Sequence, residues 1–357
     1  MKKIVLASLL IAITLLCPML MVHAQFGGAN TVTLTANTDQ SQYPVYSQVT
    51  FTESMAYFNN PGTTYPSDGL VGVQLENPFG TTLFTRTLRT GSTTPYNLTA
   101  TVTNAYVTSG GTQTSSIPLP PYPYGAPEVY LDVTNNWPTQ QTFLVVVSIF
   151  DSNGIPIFEQ PVQFTIGGEQ QSEQYVSLSG IQTTAHFGTA YAYVDVFNNF
   201  PSDGGYPLAE EYGFQFTITG GNAFQGTPPT TYTVNTGPTN YFNMTFRMPK
   251  DPNNLLGGAN GVTGTYTIYS TADYTTTSGV STFGNQTTTF QYLLLGDVKN
   301  LGILNFNDVT YFVTLYIAYF ETGNYAESEA IDFTHTGTIN FNDVTTFVEY
   351  YILYWSS

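Results

Sequence analysis

The chain's hydrophobic and polar residues follow two rhythms. Through most of its length apolar positions alternate with Thr, Ser, Asn or Gln, as at Val32, Leu34 and Ala36, and again at Val49, Phe51, Met55 and Tyr57. Alternation at a period of two predicts strands with one buried and one wet face. It marks strands at Thr31–Ala36, Gln48–Phe58, Leu70–Asn77 and Thr82–Thr90. Further strands follow at 96–106, 128–136, 142–151, 156–166, 174–181, 188–199 and 213–219, then at Tyr232–Asn235, Tyr241–Arg247, Thr265–Asp273 and Thr287–Leu295. Beyond residue 294 the spacing becomes three and four. Val309, Phe312, Val313, Tyr316, Ile317 and Phe320 share one helical face, as do Val344, Phe347, Val348, Tyr351, Ile352 and Trp355.

Counting strands gives a domain plan. The seven between 96 and 219 suffice for an immunoglobulin-like sandwich, whereas the four before and the four after are too few alone. The economical arrangement is mainly β: two immunoglobulin-like sandwiches, one inserted in the other, followed by a small α-helical pair. Residues 28–94 and 222–293 then form the split sandwich, 95–221 the inserted one and 294–357 the helical unit; three sandwiches in series are the alternative. Within the insertion, Tyr130-Leu131-Asp132-Val133-Thr134-Asn135-Asn136-Trp137-Pro138 returns as Tyr193-Val194-Asp195-Val196-Phe197-Asn198-Asn199-Phe200-Pro201, with a weaker echo at Tyr57-Phe58-Asn59-Asn60-Pro61. Asn and Pro favour turns, so each copy reads as a strand running into a turn.

The helical region is itself a duplication. Asn305-Phe306-Asn307-Asp308-Val309-Thr310 recurs as Asn340-Phe341-Asn342-Asp343-Val344-Thr345, and Asp297 and Gly302 precede the first copy as Asp332 and Gly337 precede the second. Asn307 or Asp308, and Asn342 or Asp343, suit the N-cap or first turn. Each loop carries Asp first, Gly sixth and Asp twelfth, the outline of an EF-hand-type Ca²⁺ loop. This duplicated loop–helix unit resembles a dockerin module over 294–357. The resemblance implies Ca²⁺ ligands at Asp297 and Asp308, and at Asp332, Thr334, Thr336 and Asp343. It also implies a cohesin-like protein partner, contacted through Val309, Phe312, Tyr316, Val344, Phe347 and Tyr351. The first loop departs from the pattern, with Lys299 and Leu301 at its third and fifth positions; neither side chain offers an oxygen. A metal-free pair of helices held by its aromatic core therefore stands beside the Ca²⁺-bound reading. Val71-Gly72-Val73-Gln74-Leu75-Glu76-Asn77-Pro78-Phe79-Gly80 and Gly264-Thr265-Tyr266-Thr267-Ile268-Tyr269 resemble macroglobulin-type immunoglobulin-like domains. The middle region resembles cell-adhesion-related ones, both being families of secreted archaeal and bacterial proteins; the likeness implies display and binding.

Composition places this body outside the cell. Lys2 and Lys3, the apolar run from Ile4 to Met21 and the small residue Ala24 read as a signal peptide over 1–24, with an uncleaved anchor as the alternative. Cleavage removes Cys17, the only cysteine, and leaves five basic residues against 24 acidic ones, a net charge of −19. Such a surface repels nucleic acid and anionic membranes, and no second apolar stretch is long enough to span a bilayer. Yet only 9% of residues are charged and Thr, Tyr, Asn and Ser carry solubility, which suits a folded β protein better than an acidic tail.

Catalytic patterns are lacking. There is no Gly-x-Ser-x-Gly, no Cys/His cluster at zinc spacing and no phosphate-binding glycine loop. His186 and His335 read as exposed turn residues. Glu210 and Glu211 would face opposite sides of a strand and read as a solvated edge. Pro120-Pro121-Tyr122-Pro123-Tyr124 reads as a rigid spacer or an exposed contact loop. The expectation is a non-catalytic, secreted cell-surface protein serving adhesion or assembly. A surface-layer or filament subunit that self-associates, and an accessory module binding surface polysaccharide, are the rival expectations.

Overall fold

The computed structural model describes residues 30–355 apart from 45–46, 60–61, 96–97, 123–124, 182–184, 221–231, 236–239, 249–263, 277, 280, 295, 299–303 and 335. The expected signal peptide, Lys299, Leu301, Gly302, His335, and Pro123 and Tyr124 of the proline cluster lie outside the described residues. The fold is mainly β, with a small helical pair at the end.

Nineteen strands are described. The first six are β1 (Thr31–Thr38), β2 (Gln42–Pro44), β3 (Gln48–Asn59), β4 (Gly62–Thr64), β5 (Leu70–Glu76) and β6 (Thr82–Arg89). The middle nine are β7 (Ala100–Ser109), β8 (Thr112–Gln113), β9 (Ser116–Pro118), β10 (Glu128–Asn135), β11 (Gln141–Phe150), β12 (Pro156–Ile166), β13 (Gln171–Ser177), β14 (Gly188–Phe197) and β15 (Tyr212–Thr219). The last four are β16 (Tyr232–Asn235), β17 (Tyr241–Arg247), β18 (Gly264–Thr275) and β19 (Ser281–Leu293).

These make four sheets. One runs β1-β3-β17-β16, with β4 beside β3, and a second runs β2-β19-β18-β5-β6. Each of these two draws strands from both ends of the β region. The middle nine strands form β13-β10-β7-β8 and β12-β11-β14-β15-β9. The two sandwiches share one topology. In each, the opening segment starts in one sheet and crosses to the other, where β2 pairs parallel with the last strand β19 and β9 with the last strand β15. Each sandwich has its own core. The outer one is aromatic, built on Tyr43, Phe51, Phe84, Phe242, Phe246, Tyr266, Phe290 and Tyr292. The inner one is aliphatic, built on Val129, Leu131, Val145, Val147, Ile149, Val194 and Val196.

Some strand limits differ from the periodicity. β13 ends at Ser177, not 181, because Pro127, which accepts the next bond from the Leu178 N–H at 2.8 Å, has no N–H to return one, and the Ile181 N–H then turns back to the Leu178 carbonyl at 3.2 Å. β19 starts at Ser281, six residues before the expected 287, because β18 carries on to Thr275 and the hairpin pairs throughout. The two- and three-residue strands β2, β4, β8 and β9 are too short for any period to reveal.

The sandwiches are packed together along β6. Its residues from Leu83 to Leu88 are buried on both sides, as are Leu70–Leu75 of β5. The edge of β6 meets the insertion through one hydroxyl: the Thr85 N–H donates to Ser148 Oγ at 3.0 Å, and that hydroxyl donates to the Thr85 carbonyl at 2.9 Å. A sheet edge with free N–H and C=O groups is thereby covered. Gly72 of β5 lies so close to Phe197 that a Cβ there would come within 2.5 Å of the ring. Arg86 is 3% exposed, and its guanidinium lies 3.3 Å from the centre of the Tyr193 ring and donates from Nη2 to Glu211 Oε1 at 2.7 Å. Nearer the rim, Arg89 Nη2 donates to Glu210 Oε1 at 2.5 Å. So Glu210 and Glu211, expected at a solvated edge, are the acidic halves of the inter-sandwich contact. His186 is likewise no exposed turn residue: it is buried, with Nδ1 2.7 Å from Asp151 Oδ2. In the proline cluster the Tyr122 hydroxyl donates to the Leu178 carbonyl at 3.3 Å, and burial raises its pKa to about 12.

Candidate docking module

Two helices dominate the C-terminal unit, α1 (Phe306–Thr322) and α3 (Phe341–Trp355), joined through the short α2 (Tyr325–Ser328) and a 3₁₀ turn at Glu329–Ile331. The N-cap of α1 is Asn305, before the expected Asn307 or Asp308. Its side chain accepts from the Asn307 N–H at 2.8 Å, while its own N–H donates to Asp308 Oδ2 at 2.9 Å. This reciprocal capping box satisfies donors that the first turn leaves unpaired. The second copy repeats it, with Asn342 N–H to Asn340 Oδ1 at 2.8 Å and Asn340 N–H to Asp343 Oδ2 at 2.8 Å. Both aspartates are fully buried.

Of the six residues expected to meet a partner, Phe312 and Phe347 are buried in the unit's own core, and Val309, Tyr316, Val344 and Tyr351 are half-buried against it. Phe312 and Phe347 stack at 4.4 Å between centroids and 11° between planes, and Phe333 stacks on both at 6.0 and 5.9 Å. Val309, Tyr316, Val344 and Tyr351 pack around that stack with Leu304, Ile331 and Ile339. A unit this small has room for one core, and the largest rings take it.

The other half of each predicted apolar face stays in water. Phe306, Val313, Ile317 and Phe320 on α1 are 73%, 46%, 50% and 63% exposed. Phe341, Val348 and Ile352 on α3 are 73%, 44% and 58% exposed. They are equivalent positions of the duplication: Phe306 matches Phe341, Val313 matches Val348 and Ile317 matches Ile352. Steps of seven and four keep each set on one side of its helix. Sequence reasoning had merged this stripe with the core face. The signal that separates them is width, since residues at 309, 312, 313, 316, 317 and 320 span more of the helix circumference than one contact can bury.

The second loop, described from Asp332 to Asp343 apart from His335, is tied by its own hydrogen bonds. Asp332 accepts from the Thr336 N–H at 3.1 Å, the Gly337 N–H at 2.8 Å and the Tyr325 hydroxyl at 2.6 Å. Asp343 Oδ1 accepts from the Thr334 N–H at 3.0 Å and its hydroxyl at 2.7 Å. Gly337 turns the chain at φ 74°, where a side chain would be strained. Calcium sites take six to eight oxygens, with a bidentate Glu at the twelfth position. Here the twelfth residue is the shorter Asp, already holding the loop and the helix cap, and the Thr334 hydroxyl is spent on it. The four ligands expected here, Asp332, Thr334, Thr336 and Asp343, thus lie together and are linked through Thr334. In the first loop Asp308 serves the α1 cap, and Asp297 is placed by its N–H to the Leu294 carbonyl at 3.0 Å.

No family model matches this chain, and no curated protein matches it. Among solved structures it aligns with the alkylpurine DNA glycosylase AlkC of Pseudomonas fluorescens at 15% identity and a TM-score of 0.24, over 34% of this chain and 31% of that one. It aligns with the α-2-macroglobulin of E. coli at 10% identity and a TM-score of 0.20, over 75% of this chain and 20% of that one. A tetra-tandem repeat from the extending region of a large adhesion protein aligns at 11% identity and a TM-score of 0.16, over 73% and 75%. The chain thus spans about a third of the length of the first and a fifth of the second. Likenesses this slight say nothing about function.

Proposed function

We propose that the chain is a non-catalytic extracellular protein that works by adhesion or assembly, its sandwiches forming a rigid body and its C-terminal helix pair docking onto a different protein. The duplicated exposed stripe carries this reading. Of the fourteen large hydrophobic residues exposed among the described residues, eight lie in this short unit. Apolar residues gathered in that way mark contact surfaces. The partner's chemistry follows from charge. Residues 294–357 hold eight acidic side chains against the single Lys299, and the whole chain is also acidic, at −17. A second copy would be repelled, whereas an apolar patch with a basic rim is complementary. In this reading the docking needs no metal, which the hydrogen bonds tying Thr334 to Asp343 and the Thr336 and Gly337 N–H groups to Asp332 support.

The test uses the full chain over immobilised cohesin-type domains, with and without Ca²⁺, and sedimentation of the chain alone. Binding that survives chelation and falls at least tenfold in both Ile317→Asp and Ile352→Asp supports the reading. Loss of binding on chelation, with a raised melting temperature in Ca²⁺, overturns the metal-free part. Indifference to both substitutions, or self-association in place of binding, overturns the docking surface.

A further inference from the structure

The inserted sandwich carries its strand motif twice, and the structure shows what one copy is for. In both copies the residues that follow the tyrosine and the aspartate point into the core: Leu131 and Val133 on β10, Val194 and Val196 on β14. Tyr130 and Asp132, and Tyr193 and Asp195, therefore face outward on opposite sheets. Each aspartate also has a glutamate across from it. Glu173 on β13 is the direct register partner of Asp132. Glu211 lies one residue before Tyr212, which pairs with Val194, so it stands opposite Asp195. The constellation Tyr-x-Asp with a cross-strand Glu is thus built twice.

The β14 copy is filled. Arg86 of the outer sandwich enters it, its guanidinium over the Tyr193 ring and bonded to Glu211, with Asp195 wholly buried alongside. The β10 copy lies on the outward face of β13-β10-β7-β8, where Glu173 is exposed and Tyr175 is 53% exposed. Its Asp132 is 93% buried, and Oδ1 has no hydrogen-bond partner. The Tyr130 hydroxyl leans on the same carboxylates: its pKa is raised, first by its hydrogen bond to Asp132, then by burial and by Glu173.

We propose that the β10 copy is a second arginine receptor, which takes a guanidinium presented by a partner protein. Two carboxylates set across a strand pair match the flat, forked donor geometry of Arg better than the point charge of Lys. The copies differ in one respect that defines how the ligand sits. Tyr193 has Ser148 and Gly213 beside it across the strands, which leaves its ring open to Arg86. Tyr130 has Tyr106 and Tyr175 there, with Tyr106 stacked on it at 4.6 Å. The incoming guanidinium therefore meets the Asp132–Glu173 pair with the exposed Tyr175 ring at its side. The donor belongs to another protein. Of the chain's three arginines, Arg86 and Arg89 hold Glu211 and Glu210, and Arg247 is half-buried with the charge of Asp151 acting on its guanidinium.

The probe is a synthetic peptide with the sequence of β6, Thr82–Arg89, titrated into the full chain and followed by backbone amide NMR; a control peptide has citrulline for both arginines. The expected result is shifts centred on Tyr130, Asp132, Glu173 and Tyr175, with affinity at least tenfold lower in Glu173→Gln and in Asp132→Asn and for the citrulline peptide. Glu173 lies on an exposed edge strand, so its substitution leaves the fold intact. Absence of shifts there, shifts equal with the citrulline peptide or in Glu173→Gln, or shifts confined to Tyr193 and Asp195 through strand exchange overturn the proposal. The C-terminal helices take no part, so either result leaves the docking reading where it stood.

Discussion

Buried acids set the chain's response to pH. Glu53, in the middle of the outer core, is fully buried, and burial holds its pKa well above the usual range, with only the Ser270 hydroxyl opposing the shift. Burial likewise raises Asp195, with Glu211 adding to the shift and Arg86 opposing it. Glu159 on β12 is pushed up to about 8 by burial alone. For an acid the sign is unambiguous. A raised folded-state pKa means that the native state binds the proton more tightly than the unfolded chain, so its stability falls as pH rises. For Glu159 the loss begins near the ordinary value of 4.5 and levels off above about 8. Glu159→Gln should remove one proton's worth of that slope, at most about 1.4 kcal/mol per pH unit. Denaturant midpoints at pH 4.5, 6 and 8 measure it; equal slopes in the two proteins would show that Glu159 is not the group responsible. None of this was legible in the sequence. Asp195 stands in an alternating stretch like other strand acids, and only packing against the other sandwich buries it; Glu159 is half-buried at a position no period marks.

At the level of elements, legibility followed period. Long strands such as β3 and β11 and both long helices lie where alternation or three–four spacing places them. The capping boxes are half visible: Asn-x-x-Asp opens each helix, and the spacing offers its Asp both to the first turn and to a metal, whereas the cap itself falls on Asn305 and Asn340. Phe312 was assigned to a partner when it stacks on Phe347 at 4.4 Å. Spacing says which residues share a face and is silent on which half of a wide face a neighbour covers. The two tasks separate in stability measurements on the full chain. Asp308→Ala removes a capping partner and should cost the helical unit about 1–2 kcal/mol. Phe312→Ala opens its core and should cost about 3–5 kcal/mol. Val313→Ala, on the exposed stripe, should stay within about 0.5 kcal/mol. A Val313 effect as large as that of Phe312 would mean that the stripe is internal and not a docking face.

The whole molecule is held together by contacts that no local pattern announces. An edge strand of one sandwich, β6, reads in sequence as Leu-Phe-Thr-Arg-Thr-Leu, too polar for a strand buried on both faces. It is buried because its backbone edge and its arginine are answered in the inserted sandwich: Ser148 for the Thr85 backbone, and Glu211 and the Tyr193 ring for Arg86, while the buried Thr85 hydroxyl finds no partner among the described residues. The hydrophobic contact runs through the same place, with Phe150 of β11 packed on Phe84 at 5.2 Å and on Tyr193 at 5.7 Å. The outer sandwich is also discontinuous in sequence, so its two halves can close only around the insertion. These features predict that the two sandwiches unfold as one cooperative unit, while the helical pair, whose core is its own, melts separately. Arg86→Leu leaves Glu211 without its cation, a change that costs about 3–5 kcal/mol when the remaining charge is buried. Ser148→Ala strips both backbone groups of Thr85 of their partner, at about 1–3 kcal/mol. Both costs fall on the contact between the sandwiches and neither on a core. Calorimetry of the Arg86→Leu, Ser148→Ala double variant should therefore resolve the sandwich transition into two, with each sandwich retaining its own strand signals. A single transition, merely shifted to lower temperature, would mean that the chain crossings alone couple the sandwiches and that β6 is a passive spacer.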